Sequence, residues 1–224
     1  MSMLTLKIIA VISMLLDHIG YAADIYALRC VGRLAFPIFA FLIGNGFRHT
    51  AHPGRYLCRL LFLAVLSQIP FTLFLYGTAA PEKLNIFLTL SLGLALLWSM
   101  ERCGTDIAKL LCLILGIVLC AGIETVVPMD YGLRGVLLIV LLYYCPSGVG
   151  KTAVFISIYY LPLWDALLTG NPLPQNWPQS LCGLLSLPLM YLYNRKSGYR
   201  SKALQWFFYL FYPAHLLILY LVFR

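Results

Sequence analysis

Apolar residues run along the chain in stretches of about 20, separated by short polar breaks, the length an α-helix needs to cross the hydrocarbon core of a bilayer. This pattern predicts helices near 5–24, 28–48, 56–76, 84–100, 107–127, 132–146, 150–168, 178–194 and 203–223. The eighth is short and contains Pro188, so it reads either as a span or as a re-entrant segment, giving nine crossings or eight. No stretch of mixed polarity is long enough to build a soluble domain. The expected fold is therefore all-α: one polytopic transmembrane bundle over residues 1–224.

Composition agrees, with 62% hydrophobic and 11% charged residues. A net charge of +8 suggests nucleic acid in a soluble protein, but here Lys and Arg gather at segment ends, where they orient spans and meet anionic headgroups. Nucleic-acid binding is set aside on that ground. Seven scattered cysteines without a CxxC pair suggest neither a disulfide framework nor a zinc site. Lys7 followed by IIAVISML has the look of a signal peptide, yet Asp17-His18 interrupts it and the rest of the chain is equally apolar, so it reads as a retained helix.

Alternate connections carry Arg48, Arg55 and Arg59; Arg102 and Lys109; Lys151; and Arg195, Lys196, Arg200 and Lys202. The other set carries Arg29, Lys83, Arg134 and Arg224. The richer set is expected in the cytoplasm, which puts the N-terminus inside and the GNPLPQNWPQ loop outside.

Orientation turns residue number into depth. His18, His215, Gln68 and Arg33 all fall about 18–21 Å from the cytoplasmic edge, on four different spans. Asp165, Glu124, Asp130 and Arg134 fall somewhat further out. Ionisable groups at such depth are costly unless paired or hydrated, and they mark function or packing. Asp17 and His18 are adjacent on one helix and point about 100° apart, so their partners are expected on other helices: Arg29 or Arg33 for Asp17, and His215 or Gln68 for His18. A purely structural reading makes Asp17–Arg33 a packing pair and His18 a satisfied hydrogen-bonding group.

At the inner rim, FRHTAHPGRYLCR (47–59) gathers Arg48, His49, His52, Arg55 and Arg59, and NRKSGYRSK (194–202) adds four cations. Phosphates suit such a rim, as do lipid headgroups. No carboxylate or thiolate at ligand spacing joins His49 and His52, so no metal site is expected. CPSGVGKT (145–152) departs from a phosphate-binding loop at Cys145, where the first glycine belongs, and lies between membrane-length apolar segments. It reads as a connection whose Lys151 is an orienting charge.

The stretches LKIIAVISMLLDHIG, LRCVGRLAFPIFAFLIGNGFRHT, RLLFLAVLSQIPF, LNIFLTLSLG, MDYGLRG and FFYLFYPAHLLILYL together resemble, in order, the TraX family, known for N-terminal acetylation of conjugal pilin. The likeness is strong over 6–93 and 181–223 and loose between, apart from the DYG stretch. The resemblance implies an inner-membrane acetyltransferase that uses acetyl-CoA and acts on an amine, or on a hydroxyl, of pilin or another envelope acceptor. Its motif positions fall on Asp17, His18, Arg33, Gln68 and His215, with Asn85 and Asp130 as companions.

The expected mechanism docks CoA phosphates on Arg48, His49, Arg55, Arg59, Arg195, Lys196, Arg200 and Lys202. The pantetheine arm, roughly 15–20 Å when extended, then reaches the histidine level. His18 or His215 serves as general base or transient acyl carrier, Arg33 steadied by Asp17 stabilises the oxyanion, and Gln68 is a second donor. The rival expectation is a non-enzymatic transport or pilus-assembly factor whose polar groups guide an ion or subunit.

Overall fold

A computed structural model describes residues 1–145, 148–174, 177–199 and 201–223. Pro146 and Ser147 of CPSGVGKT, Gln175 and Asn176 of the GNPLPQNWPQ loop, the rim cation Arg200 and the terminal Arg224 lie outside the described residues.

The chain is helical throughout: α1 Met3–Ala22, α2 Tyr26–Gly32, α3 Ala35–Arg48, α4 Pro53–Tyr76, α5 Ile86–Glu101, α6 Asp106–Val126, α7 Gly132–Tyr144, α8 Gly148–Val154, α9 Leu161–Thr169, α10 Trp177–Leu181, α11 Ser186–Tyr191 and α12 Lys202–Phe223. A π-helical turn, Phe155–Tyr159, joins α8 to α9, and a 3₁₀ turn, Cys182–Leu185, joins α10 to α11. Side-chain oxygens of Ser2, Asn85 and Thr105 cap α1, α5 and α6, and Gly77 ends α4 in the left-handed conformation that glycine tolerates.

Among the described residues, length and composition make five helical stretches able to cross a membrane, six if the pair α8–α9, bent by 59°, is one crossing. The expected nine also include α5 and α7, apolar but only about 24 and 20 Å long, and the 178–194 segment. That segment is three short pieces rather than one rod.

The second expected span breaks at Arg33-Leu34, and the sequence explains why. Pro37 has no N–H to give Arg33, four residues earlier, and its ring crowds that carbonyl. The break tightens to i→i−3 bonds from Arg33 to Cys30 and from Leu34 to Val31, and the Tyr159 hydroxyl donates to the freed Arg33 carbonyl at 3.4 Å.

Among the described residues, most buried apolar side chains fall into two clusters. The larger packs α3, α5, α7 and the π-helical turn around Phe36, Ile38, Leu94, Leu97, Val136, Ile139 and Phe155. The smaller, Phe71, Phe74, Tyr212, Leu216 and Leu219, joins α4 to α12 against Met14, Leu15 and Ile19 of α1. By contrast α6, the most apolar of the long helices, buries little beyond Cys120 and leaves Ile107, Leu115, Val118 and Val126 exposed. An apolar helix in that state requires a lipid neighbour rather than water.

Both basic runs reach one end of the bundle. Met1 and Met3 bond to the 192–196 backbone, through Met1 N–H to Leu192 O and Met3 N–H to Lys196 O at 2.8 Å, while Asn45 donates to the Tyr193 hydroxyl. Arg195 and Lys196 thus lie beside the N-terminal end of α1, with the 47–59 run nearby.

At the opposite end α1 and α2 touch at two glycines. A methyl on Gly20 would meet Leu28 Cβ at 2.8 Å, and one on Gly32 would overlap Asp17. Because the Asp17 Cβ is fixed to its backbone, Gly32→Ala is expected to lower stability in detergent by roughly 2 kcal/mol or more, the range of overpacking. Thermal unfolding beside Gly104→Ala, where an added Cβ meets nothing within 4 Å, checks this.

Candidate functional site

Asp17 pairs with both arginines. Its Oδ2 accepts from Arg29 Nη1 at 3.0 Å and its Oδ1 from Arg33 Nη2, while Arg33 Nε–H donates to the Arg29 carbonyl at 3.3 Å. The three side chains are 12–21% exposed, so two cations and one anion share a poorly hydrated site. Such charges persist at depth only when mutually compensated.

His18, on the next face of α1, meets α12. Its Nδ1 is 2.8 Å from His215 Nε2, and His215 Nδ1 is 2.7 Å from the Phe211 carbonyl. A carbonyl only accepts, so His215 Nδ1 carries a proton. With neutral rings, His215 Nε2 is then the acceptor and His18 Nδ1–H the donor, which leaves the lone pair of His18 on Nε2. Among the described residues nothing bonds to that atom. Phe211 stacks on His215 at 4.8 Å, and Phe74 and Tyr212 meet His18 edge-on. His215 is 5% exposed. Pro213 frees the Tyr209 carbonyl, not the Phe211 carbonyl that His215 uses.

Gln68 has other work. Its Nε2 donates to the Lys83 carbonyl at 2.7 Å, and its Oε1 accepts from Asn85 N at 3.1 Å and Asn85 Nδ2 at 2.8 Å. Asn85, 1% exposed, also donates to the Ala64 carbonyl and caps α5 through Phe87 N. Gln68, expected as a second donor, spends one amide N–H and its Oε1 on the α4–α5 turn.

That turn holds the DYG stretch. Leu84 N–H donates to the Pro128 carbonyl and Asp130 N–H to the Leu84 carbonyl, each at 2.9 Å, and Lys83 Nζ meets Asp130 Oδ1 at 2.8 Å. Burial opposes the Lys83 charge, but the Asp130 carboxylate outweighs it and holds the ammonium above its ordinary value. The pair's contribution is therefore present at neutral pH and is lost as pH rises through that raised value. Beyond it Tyr131 (φ +59°) and Gly132 (φ +44°) are both left-handed, and the Tyr131 ring stacks on Phe36 at 3.7 Å. Glu124 accepts from Leu133 N–H at 3.1 Å at the start of α7.

Two cavities meet at these groups, neither fully enclosed. One, about 330 Å³, follows α1 from Met3 and Lys7 past Val11 and Met14 to Asp17 and His18, against α3 and the start of α4. Its length along α1 is about 21 Å. The other, about 560 Å³, is polar and lies around the C-terminal end of α1, lined by Tyr21, Arg29, Arg33, Lys83, Glu124 and Arg134. Asp17, His18, Asp130 and Tyr131 line both.

The model of the family described as TraX protein matches residues 2–223. The chain belongs to the TraX family. It is also 31% identical, over 235 aligned residues covering 96% of the chain and 92% of the relative, to the "Probable fimbrial assembly protein FimC, serogroup H1" of Dichelobacter nodosus. No solved structure matches it. The apolar helices of the chain are those of a membrane protein.

Of the rim residues, Arg59 lines the long cavity, with Tyr56, Gln205 and Tyr209 beside it. Arg48 turns the other way, donating to the Tyr143 carbonyl and lying 4.4 Å over the Tyr143 ring. His49 Nδ1–H donates to the Asn45 carbonyl, and Arg55, Arg195, Lys196 and Lys202 are exposed at the same end. Sequence reading did not single out Lys7 or Tyr131 as cavity-lining groups. Helical spacing from His18 (7, 11, 14, 18) was available as a signal for Lys7. For Tyr131 the glycine after it was the cue.

Asp17→Ala leaves two guanidiniums without their carboxylate and is expected to cost about 3–5 kcal/mol, as for breaking buried pairs. Gln68→Ala is expected to cost about 1–3 kcal/mol through the polar groups it strands. Thermal unfolding in one detergent checks both, with Asp17→Ala the more damaging.

Proposed function

We propose that this chain is an acetyl-CoA-dependent acetyltransferase of the bacterial inner membrane, acting on the N-terminal amine of a pilin. One observation carries the reading: His18, whose Nε2 the histidine couple leaves free, lines two cavities that approach from opposite ends of α1. In this reading all nine expected segments cross or enter the bilayer, and the basic end is cytoplasmic.

The long cavity suits the pantetheine arm, because its length of about 21 Å is close to that arm's extended reach. Lys7 and Arg59 at its mouth, with the exposed rim cations, suit the phosphates. The acceptor enters from the polar side. Its amine attacks the thioester carbonyl while His18 Nε2 takes the amine proton. The carbonyl π electrons move to oxygen, where the Arg33 guanidinium, steadied by Asp17, offsets the charge. Collapse forms the amide and expels CoA thiolate, which recovers a proton from His18. His215 accepts from His18 Nδ1–H throughout and favours the imidazolium, as an orienting partner does. A peptide α-amine, with a pKa near 8, needs only this modest help.

A non-enzymatic assembly role is the second reading, favoured by the printed name of the FimC relative. Purified protein given acetyl-CoA labelled in the acetyl group and a peptide amine separates the two. Transfer is expected with wild type and reduced at least ~100-fold in His18→Ala, the scale of a lost general base. Absence of thioester turnover in folded wild-type protein, or assembly intact in His18→Ala cells, overturns the enzymatic reading.

A further inference from the structure

The charges of the polar cavity do not balance. Asp17 is taken by Arg29 and Arg33, Asp130 by Lys83, and Glu124 by the Leu133 N–H, whereas Arg134 has no carboxylate partner among the described residues. Its guanidinium lies 5.4 Å from the Tyr131 ring centroid, half-buried and lining the cavity. Arg134 is also in the first turn of α7, beside the positive end of the helix dipole. A cation is disfavoured there, and Glu124 answers the helix end rather than the guanidinium. A missing negative charge is what the arrangement calls for.

We propose that Arg134 binds a carboxylate of the acceptor peptide, so that the polar cavity selects N-termini with an acidic residue close behind the amine. This rests on the acetyltransferase reading and names the acceptor it takes. At about 560 Å³ the cavity is within the range of small-ligand sites, enough for the first residues of a chain. It reaches continuously from His18 to Arg134, so one peptide can offer its amine to the first and its carboxylate to the second. The aromatic face of Tyr131, held left-handed by the DYG turn, fixes the guanidinium plane from one side.

The test uses the full chain in detergent and two fluorescent peptides with a free N-terminus, identical except for Glu or Gln at the third residue. Binding by fluorescence anisotropy is read first, because it does not depend on turnover. Wild type is expected to bind the Glu peptide about tenfold more tightly, the scale of one charge-assisted hydrogen-bonded contact. Arg134→Gln is expected to erase that difference while binding the Gln peptide as before, and Arg134→Lys to keep part of it. Equal binding of both peptides by wild type, or a preference that survives in Arg134→Gln, overturns the proposal. Vesicles of phosphatidylethanolamine form a separate arm: competition by them that Arg134→Gln removes, with no peptide preference, assigns the anion to a lipid phosphate and overturns the peptide assignment. Acetyl transfer to the same peptides is read second. A Glu preference in binding without transfer leaves the anion site standing and removes the acetyltransferase reading.

Discussion

One carboxylate compensating two guanidiniums in a poorly hydrated site is the constraint on which the rest depends. Asp17 reaches Arg29 and Arg33 only because Gly20 and Gly32 let α1 and α2 approach, and because Pro37 breaks the second span at Arg33. With Asp17 committed to that side, the 100° step along α1 sends His18 to α12 and α4 instead. Two adjacent polar residues in an apolar helix therefore serve two sets of partners, one that holds the bundle together and one that leaves a ring nitrogen free.

The division of the core follows from the same geometry. α4 and α12 form a small cluster with one side of α1, and α3, α5 and α7 form a large one with the other. The long cavity runs along α1 between residues of both, from the basic end to the charged layer. Past that layer the lining changes from apolar to charged because the loop from α4 to α5, braced by Gln68 and Asn85, is pinned to the loop from α6 to α7 by the Lys83–Asp130 pair and the Leu84 backbone bonds. Apolar and polar approaches thus meet at one histidine.

Much of this was legible in the chain. The apolar stretches fixed where helices run, since burial of about 20 residues in hydrocarbon leaves few alternatives. Expected depth put His18 and His215 at one level, and their rings do meet. What depth cannot supply is azimuth: Gln68 shares their level but faces the α4–α5 turn, a direction set by packing against Asn85. The same limit left Asp17 with two candidate arginines, and the structure uses both. The rim illustrates it again, for Arg48 and Arg59 flank one connection yet Arg48 faces Tyr143 and Arg59 the cavity. The left-handed Tyr131 rests on tertiary support, its stacking on Phe36 and the pinned turn before it, which local sequence does not encode.

Neutral His18, which lines both cavities, keeps a bare Nε2 because a chain of hydrogen bonds from the Phe211 carbonyl dictates both tautomers. With only four histidines in the chain, ¹⁵N NMR of the imidazole-labelled protein in detergent, assigned with His18→Ala and His215→Ala, reads this directly. Protonated Nδ1 and unprotonated Nε2 are expected on both rings, with the His18 Nδ1–H coupled across its hydrogen bond to His215 Nε2. A proton on His18 Nε2, with Nδ1 bare, would contradict this, since that nitrogen would then be a donor with no lone pair to take a proton.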